Sequence, residues 1–89
     1  MSNTTLLTVS ALFKKPVRGL DETLDLTREM GGRVQVETDQ GDTRILLSLD
    51  STEPDLLLLA TQLAELQGCL PSGANRITSS WKWTGDLPF

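Results

Sequence analysis

Residues 20–50, LDETLDLTREMGGRVQVETDQGDTRILLSLD, decide the fold, because their hydrophobic period changes from that of a helix to that of a strand. Over the first eleven residues the apolar side chains recur at about 100° per residue, and the charged side chains occupy the opposite arc. This spacing predicts an amphipathic helix that packs through Leu20, Leu24, Leu26 and Met30, with two threonines between them.

A hairpin is predicted to follow this helix. Gly31-Gly32 is typical of a helix C-terminus. Polarity then alternates from Arg33 to Thr38, with Val34 and Val36 inward, and again from Thr43 to Asp50. Because turn residues 39–42 separate the two runs, we expect them to pair as antiparallel strands.

The flanking segments repeat this order of strand and helix. Residues 6–13 alternate with period two, which predicts a first strand facing inward through Leu7, Val9, Ala11 and Phe13. Hydroxyl, proline and acidic residues at 51–55 predict the start of a second helix over residues 54–67. Alternation resumes over residues 76–84 and predicts a last strand. The second helix is expected to pack through Leu56, Leu59, Ala60, Leu63 and Leu66, a stripe widened by Leu57, Leu58 and Ala64.

The predicted order is therefore strand, helix, strand, strand, helix, strand. It indicates an α+β fold, a ferredoxin-like βαββαβ sandwich whose four-stranded antiparallel sheet carries both helices on one face. A chain of 89 residues is expected to form one domain, residues 1–89, with an irregular tail over residues 85–89.

Composition restricts the classes of function. Eight basic residues against twelve acidic ones give a net charge of -4, which argues against binding nucleic acid or anionic lipid. The longest apolar run, Leu56 to Ala60, is too short to span a membrane. One cysteine, Cys69, allows no internal disulfide and fits a cytoplasmic protein; we interpret it as a small buried apolar residue.

The chain carries no recognisable catalytic machinery. It has no histidine, so the commonest general base and the commonest metal ligand are both missing. Asp21, Glu22, Asp25 and Glu29 lie on the solvent arc of the first predicted helix, where carboxylates rarely act in catalysis. We therefore expect no enzymatic activity, no metal and no cofactor.

Two segments are candidates for binding. Lys14, Lys15 and Arg18 precede the first predicted helix, whose N-terminus favours an anionic group such as an amino-acid carboxylate, although a plain basic surface loop fits equally. Trp81 and Trp83 share one face of the last strand. They are core residues if that face meets the helices, and they form an interaction platform if that face is open. The alternation of residues along one strand does not show which of the two faces meets the helices.

The run from Gly19 to Val34, a loop glycine, an amphipathic helix, a closing glycine and a strand, resembles the ACT family of small regulatory domains that bind amino acids. Residues 45–50, 55–57 and 62–66 are similar to the small regulatory subunits of acetolactate synthase. The resemblance implies a regulatory or accessory subunit that dimerises or docks on a larger enzyme. It also implies an effector amino acid near Lys15, Arg18, Gly19 and Leu20.

A second resemblance gives a different function. The predicted topology and size are also similar to those of the small chaperone that binds the twin-arginine signal peptide of periplasmic nitrate reductase. On this alternative the chain is a protein-interaction module, either a maturation chaperone or an inhibitor. It would bind its partner through an exposed sheet edge or through Trp81 and Trp83.

Overall fold

The computed structural model describes residues 4–83, and within them all six predicted elements are present. The predicted tail at residues 85–89 lies outside this range. The elements are β1 (Thr5–Phe13), α1 (Leu20–Glu29), β2 (Arg33–Asp39), β3 (Asp42–Ser51), α2 (Leu56–Gly68) and β4 (Arg76–Trp83).

The four strands form one antiparallel sheet in the order β2-β3-β1-β4. β1 and β3 are central, whereas β2 and β4 lie at the two edges. This α+β architecture, a four-stranded antiparallel sheet with two helices, confirms the predicted fold class and is compatible with a ferredoxin-like fold. Within residues 4–83, neither helix has the length and apolar content that a membrane-spanning helix requires.

The alternating pattern of β1 and β3 forms the centre of the core, as predicted. Leu7, Val9 and Phe13 have no solvent exposure, and Leu47 lies directly opposite Val9 on the neighbouring strand. Opposite residues of an antiparallel pair point to the same face, so the odd-numbered residues of both strands meet the helices together. The even-numbered residues face the other side of the sheet, which is called the open face below.

The first helix packs on the sheet through the predicted arc except at Leu26. Leu20 and Met30 pack against the core and the threonines between them, Thr23 and Thr27, are buried, whereas Leu26, which was predicted to face inward, is 38% exposed. The backbone after this helix passes close to its neighbours. A Cβ atom at Gly32 would lie 2.8 Å from the Ser48 carbonyl oxygen and 2.9 Å from the Thr27 Cγ2, so this position has no room for a side chain.

The second helix also exposes residues that were predicted to be buried. Leu59 and Leu66 lie in the core and Leu63 packs beside them, but Leu56 and Ala60 are exposed. α2 packs against β1 and β3, and only the one narrow stripe that meets these strands is covered. The residues that widen the leucine stripe in the sequence, Leu57, Leu58 and Ala64, therefore lie on the surface. On β2, Val34 packs against the core, whereas Val36 at the edge is 39% exposed.

Candidate functional site

The pairing of β4 with β1 shows which side of the sheet the two tryptophans face. Trp81 lies opposite Leu7 and Trp83 opposite Thr5, so both tryptophans point to the side of the sheet that carries the helices. They are nevertheless 49% and 47% exposed, because the helices pack on the other three strands. The tryptophans therefore lie on the helix side but outside the core, a combination that neither alternative described.

The first turn of α2 carries three exposed leucines, one of which, Leu56, adjoins these tryptophans. Leu57 is 79% exposed and Leu58 is half exposed. Leu56, at 65%, lines a surface cavity of about 270 Å³ together with Trp81 and Trp83. We call these five residues, Leu56, Leu57, Leu58, Trp81 and Trp83, the α2–β4 surface. The cavity is also lined by Thr5, Glu53, Pro54 and Leu59.

A chain of hydrogen bonds holds the first turn of α2 in place. The Asp55 carboxylate accepts from the Leu57 amide at 2.8 Å and from the Leu58 amide at 3.4 Å, which caps the helix. The Asp55 amide in turn donates to the Glu53 carboxylate at 3.1 Å. The Ser51 hydroxyl accepts from the Glu53 amide at 3.2 Å. These bonds fix the leucines in an exposed position.

The two helices differ in how they meet solvent. The exposed side of α1 carries four carboxylates and Arg28, which is usual for a helix on the surface of a protein. In its 13 residues, α2 has one charged side chain, Glu65. Its first four residues are all leucine, and the polar side chains begin at Thr61. A helix turn that is apolar on all sides is usually buried, so the exposure of Leu56, Leu57 and Leu58 is unusual.

The residues predicted to bind an effector are only partly brought together. Arg18 and Gly19 line a cavity of about 240 Å³, which Glu22 also lines. Lys15 and Leu20 do not line it: the Lys15 Nζ lies beside Gly73, and Leu20 packs against the core. Gly19 caps α1 with φ of 84°, a left-handed conformation that favours glycine.

Within residues 4–83, the side chains that could bind a metal ion are dispersed, and the one thiol is buried. No group of three or more cysteine, aspartate and glutamate side chains there is arranged to hold a metal ion. Cys69 is buried directly after α2, as predicted, and its Sγ lies 3.4 Å from the Glu65 carbonyl oxygen and 3.7 Å from the Met30 Sδ. Nothing in this arrangement activates the thiol, whose predicted role was packing.

The open face of the sheet is polar and carries a second depression. A cavity of about 400 Å³ is lined by Leu12, Arg44 and Arg76, which form one row across three strands. The β2–β3 side of this face holds an ion pair, with Arg33 Nη1 2.9 Å from Asp50 Oδ2. The side chains of Arg44 and Arg76 have no ion-pair or hydrogen-bond partner among the described residues.

Comparisons with known proteins assign no family. No family model and no curated protein matches the chain. One solved structure, that of hypothetical protein MJ1052 from Methanocaldococcus jannascii, aligns over 100% of this chain and 86% of the other at 16% sequence identity. The TM-score of 0.31 is too low for this similarity to support an argument about fold or function.

The sequence signalled only part of this site. The alternation in the last strand identifies the two tryptophans, and the leucine stripe of α2 is visibly wider than one sheet face needs. The cavity that joins Leu56 to the tryptophans was missed, because it depends on how far α2 extends over the sheet. Glu53 gave no signal beyond its place at a helix start.

Proposed function

We propose that this chain is a non-enzymatic accessory subunit that docks on a larger protein through the α2–β4 surface. The observation that carries the proposal is that Leu56 lines one cavity with Trp81 and Trp83, while Leu57 and Leu58 are exposed in the same helix turn as Leu56. These five side chains are between 47% and 79% exposed. This function combines the docking part of the ACT-like prediction with the alternative of a protein-interaction module.

The energetics favour a partner for this surface. Burying an exposed leucine side chain is worth about 1.5–3 kcal/mol, and Leu57 alone would recover most of that amount. Tryptophans near the centre of an interface often contribute more to binding than other residues. A domain of 89 residues has a small core of its own, so docking would also stabilise it.

The wider expectations from the sequence belong to this proposal. We treat the βαββαβ order as a ferredoxin-like fold and the protein as cytoplasmic, since its single cysteine is a free thiol. The net charge of -4 supports a protein partner over nucleic acid.

Affinity purification of the tagged full-length chain from its native host tests the docking function. We expect Leu57→Glu and Trp83→Ala each to lose the co-purifying protein while the far-UV circular dichroism spectrum stays unchanged. Leu46→Gln is the matched control, because Leu46 is also partly exposed but lies on the open face. Retention of the same partner by both α2–β4 variants would contradict the proposal.

Light scattering on the purified chain separates a larger partner from a second copy. We expect the mass of a monomer at micromolar concentration. A dimer that Leu57→Glu converts to monomer would show that the α2–β4 surface joins two copies instead, and the proposal of a larger partner would fail.

A second candidate function is regulation by a free amino acid at the Arg18 cavity. A guanidinium and the Glu22 carboxylate on one cavity of about 240 Å³ match the two charges of an amino acid. Calorimetric titration with each common amino acid tests this. We expect Arg18→Gln to abolish the heat and Arg28→Gln, on the exposed side of α1, to preserve it. No heat from any amino acid with the unmodified chain would exclude it.

A further inference from the structure

The outer edge of β4 has backbone groups that no neighbouring described strand pairs with, and its charged side chains are all positive. Within residues 4–83, β4 pairs with β1 only, which leaves the other side of an eight-residue strand without a neighbour. Such an edge accepts a further strand. Arg76 and Lys82 stand near its two ends, both on the open face, with Thr78 and Ser80 between them.

These two cations are unsatisfied. Neither Arg76 nor Lys82 has an ion pair or side-chain hydrogen bond among the described residues, and both are exposed. The opposite edge differs, because β2 places Arg33 on the open face together with Glu37 and Asp39. A strand added to β4 would therefore meet positive charge alone on the open face.

This pattern disfavours a second copy of the chain at β4. Antiparallel pairing of two β4 strands would bring their open-face side chains together, since opposite residues share a face. In one such register Arg76 would lie opposite Lys82 at both ends of the pair. Other registers separate Arg76 from Lys82 of the second copy. They give these cations no opposite charge to pair with, because β4 contains no carboxylate.

We infer that the partner adds to β4 a strand that is acidic on the open face and apolar on the helix side. This inference rests on the proposed docking function and identifies the partner segment by its chemistry. On the helix side the added strand would extend the row formed by Ile77, Trp81 and Trp83, which are 44–49% exposed. On the open face its carboxylates would neutralise Arg76 and Lys82.

Charged residues on an edge strand also have a purely protective role in many proteins, where they prevent unwanted strand pairing. The two roles differ in what they predict. If the cations only protect the edge, a partner strand gains nothing from carboxylates. If they recognise a partner, acidic side chains strengthen binding and reversal of the cations reverses the preference.

Synthetic peptides as long as β4 test the inference on the full-length chain. One alternates valine with glutamate, one valine with lysine, and one valine with serine. Alternation presents the same two faces in either strand direction. Binding is read from tryptophan emission, because both tryptophans of the chain lie in β4.

We expect the glutamate peptide to bind roughly tenfold more tightly than the serine peptide, and the lysine peptide to give no signal. The double variant Arg76→Glu/Lys82→Glu should reverse this order. Arg28→Glu, a charge reversal on the exposed side of α1, should leave it unchanged.

Equal binding of the glutamate and serine peptides, or a double variant with the original order, would overturn the inference in favour of a protective role. No binding by any peptide would overturn it as well. If Trp83→Ala still lost the native partner in that case, docking would stand without the added strand, so the two failures are distinguishable.

Discussion

At the scale of single residues, two glycines in similar segments have opposite roles. Gly32 follows α1 at a point where helix and sheet backbones approach each other closely, and a Cβ atom there would meet a backbone oxygen at 2.8 Å. Gly68, the last residue of α2, has no atom within 4 Å of the place where a Cβ would lie. The sequence shows both simply as glycines near a helix end.

Replacing these glycines by alanine should therefore change stability in opposite directions. We expect Gly32→Ala to lower the free energy of unfolding by about 1–3 kcal/mol, because the backbone carbonyl of Ser48 must move. Gly68→Ala, the control, should be neutral or raise it by up to about 1 kcal/mol, since alanine reduces the freedom of the unfolded chain. Urea titration measures both, and equal effects would contradict the close approach.

At the scale of elements, a side chain caps the N-terminus of α2, whereas no side chain caps the N-terminus of α1. Asp55 caps α2 through two backbone amides, whereas Gly19 caps α1 without a side-chain hydrogen bond. The Asp55 cap is what holds Leu57 and Leu58 at the surface in a defined geometry. The position of Leu57 and Leu58 in the α2–β4 surface therefore depends in part on the Asp55 carboxylate.

Removal of this cap should weaken both stability and docking. We expect Asp55→Ala to lower the free energy of unfolding by about 0.5–2 kcal/mol. Asp25→Ala is the control, because Asp25 lies within α1 and its side chain has no hydrogen bond or ion pair among the described residues. It should change stability by less than about 0.5 kcal/mol. Chemical denaturation compares them, and indistinguishable midpoints would mean that the cap contributes nothing.

At the scale of the whole molecule, the helices cover only part of the sheet. They pack mainly against the other three strands, and the strand that carries both tryptophans is only partly covered. Apolar surface is thereby concentrated at one edge, next to the leucine-rich first turn of α2. This distribution is the basis of the proposed docking function.

An exposed and a buried leucine of the same helix should respond differently to substitution. Leu57→Gln is expected to change the free energy of unfolding by less than about 0.5 kcal/mol while it reduces binding of a hydrophobic dye to the native protein. Leu66→Ala should cost about 2–5 kcal/mol, because Leu66 is fully buried. Thermal unfolding with dye titration measures both, and a large loss of stability in Leu57→Gln would show that Leu57 belongs to the core.

Local pattern alone determined the six elements and the inward faces of the central strands, because periods of two and 3.6 residues are properties of neighbours in the chain. Only the tertiary structure decided that Thr23 and Thr27 form the buried contact of α1 and that Trp81 and Trp83 stay half exposed. Strand order and helix coverage depend on contacts between distant segments. A residue can therefore point to the helix side and still lie beyond the helices that would bury it.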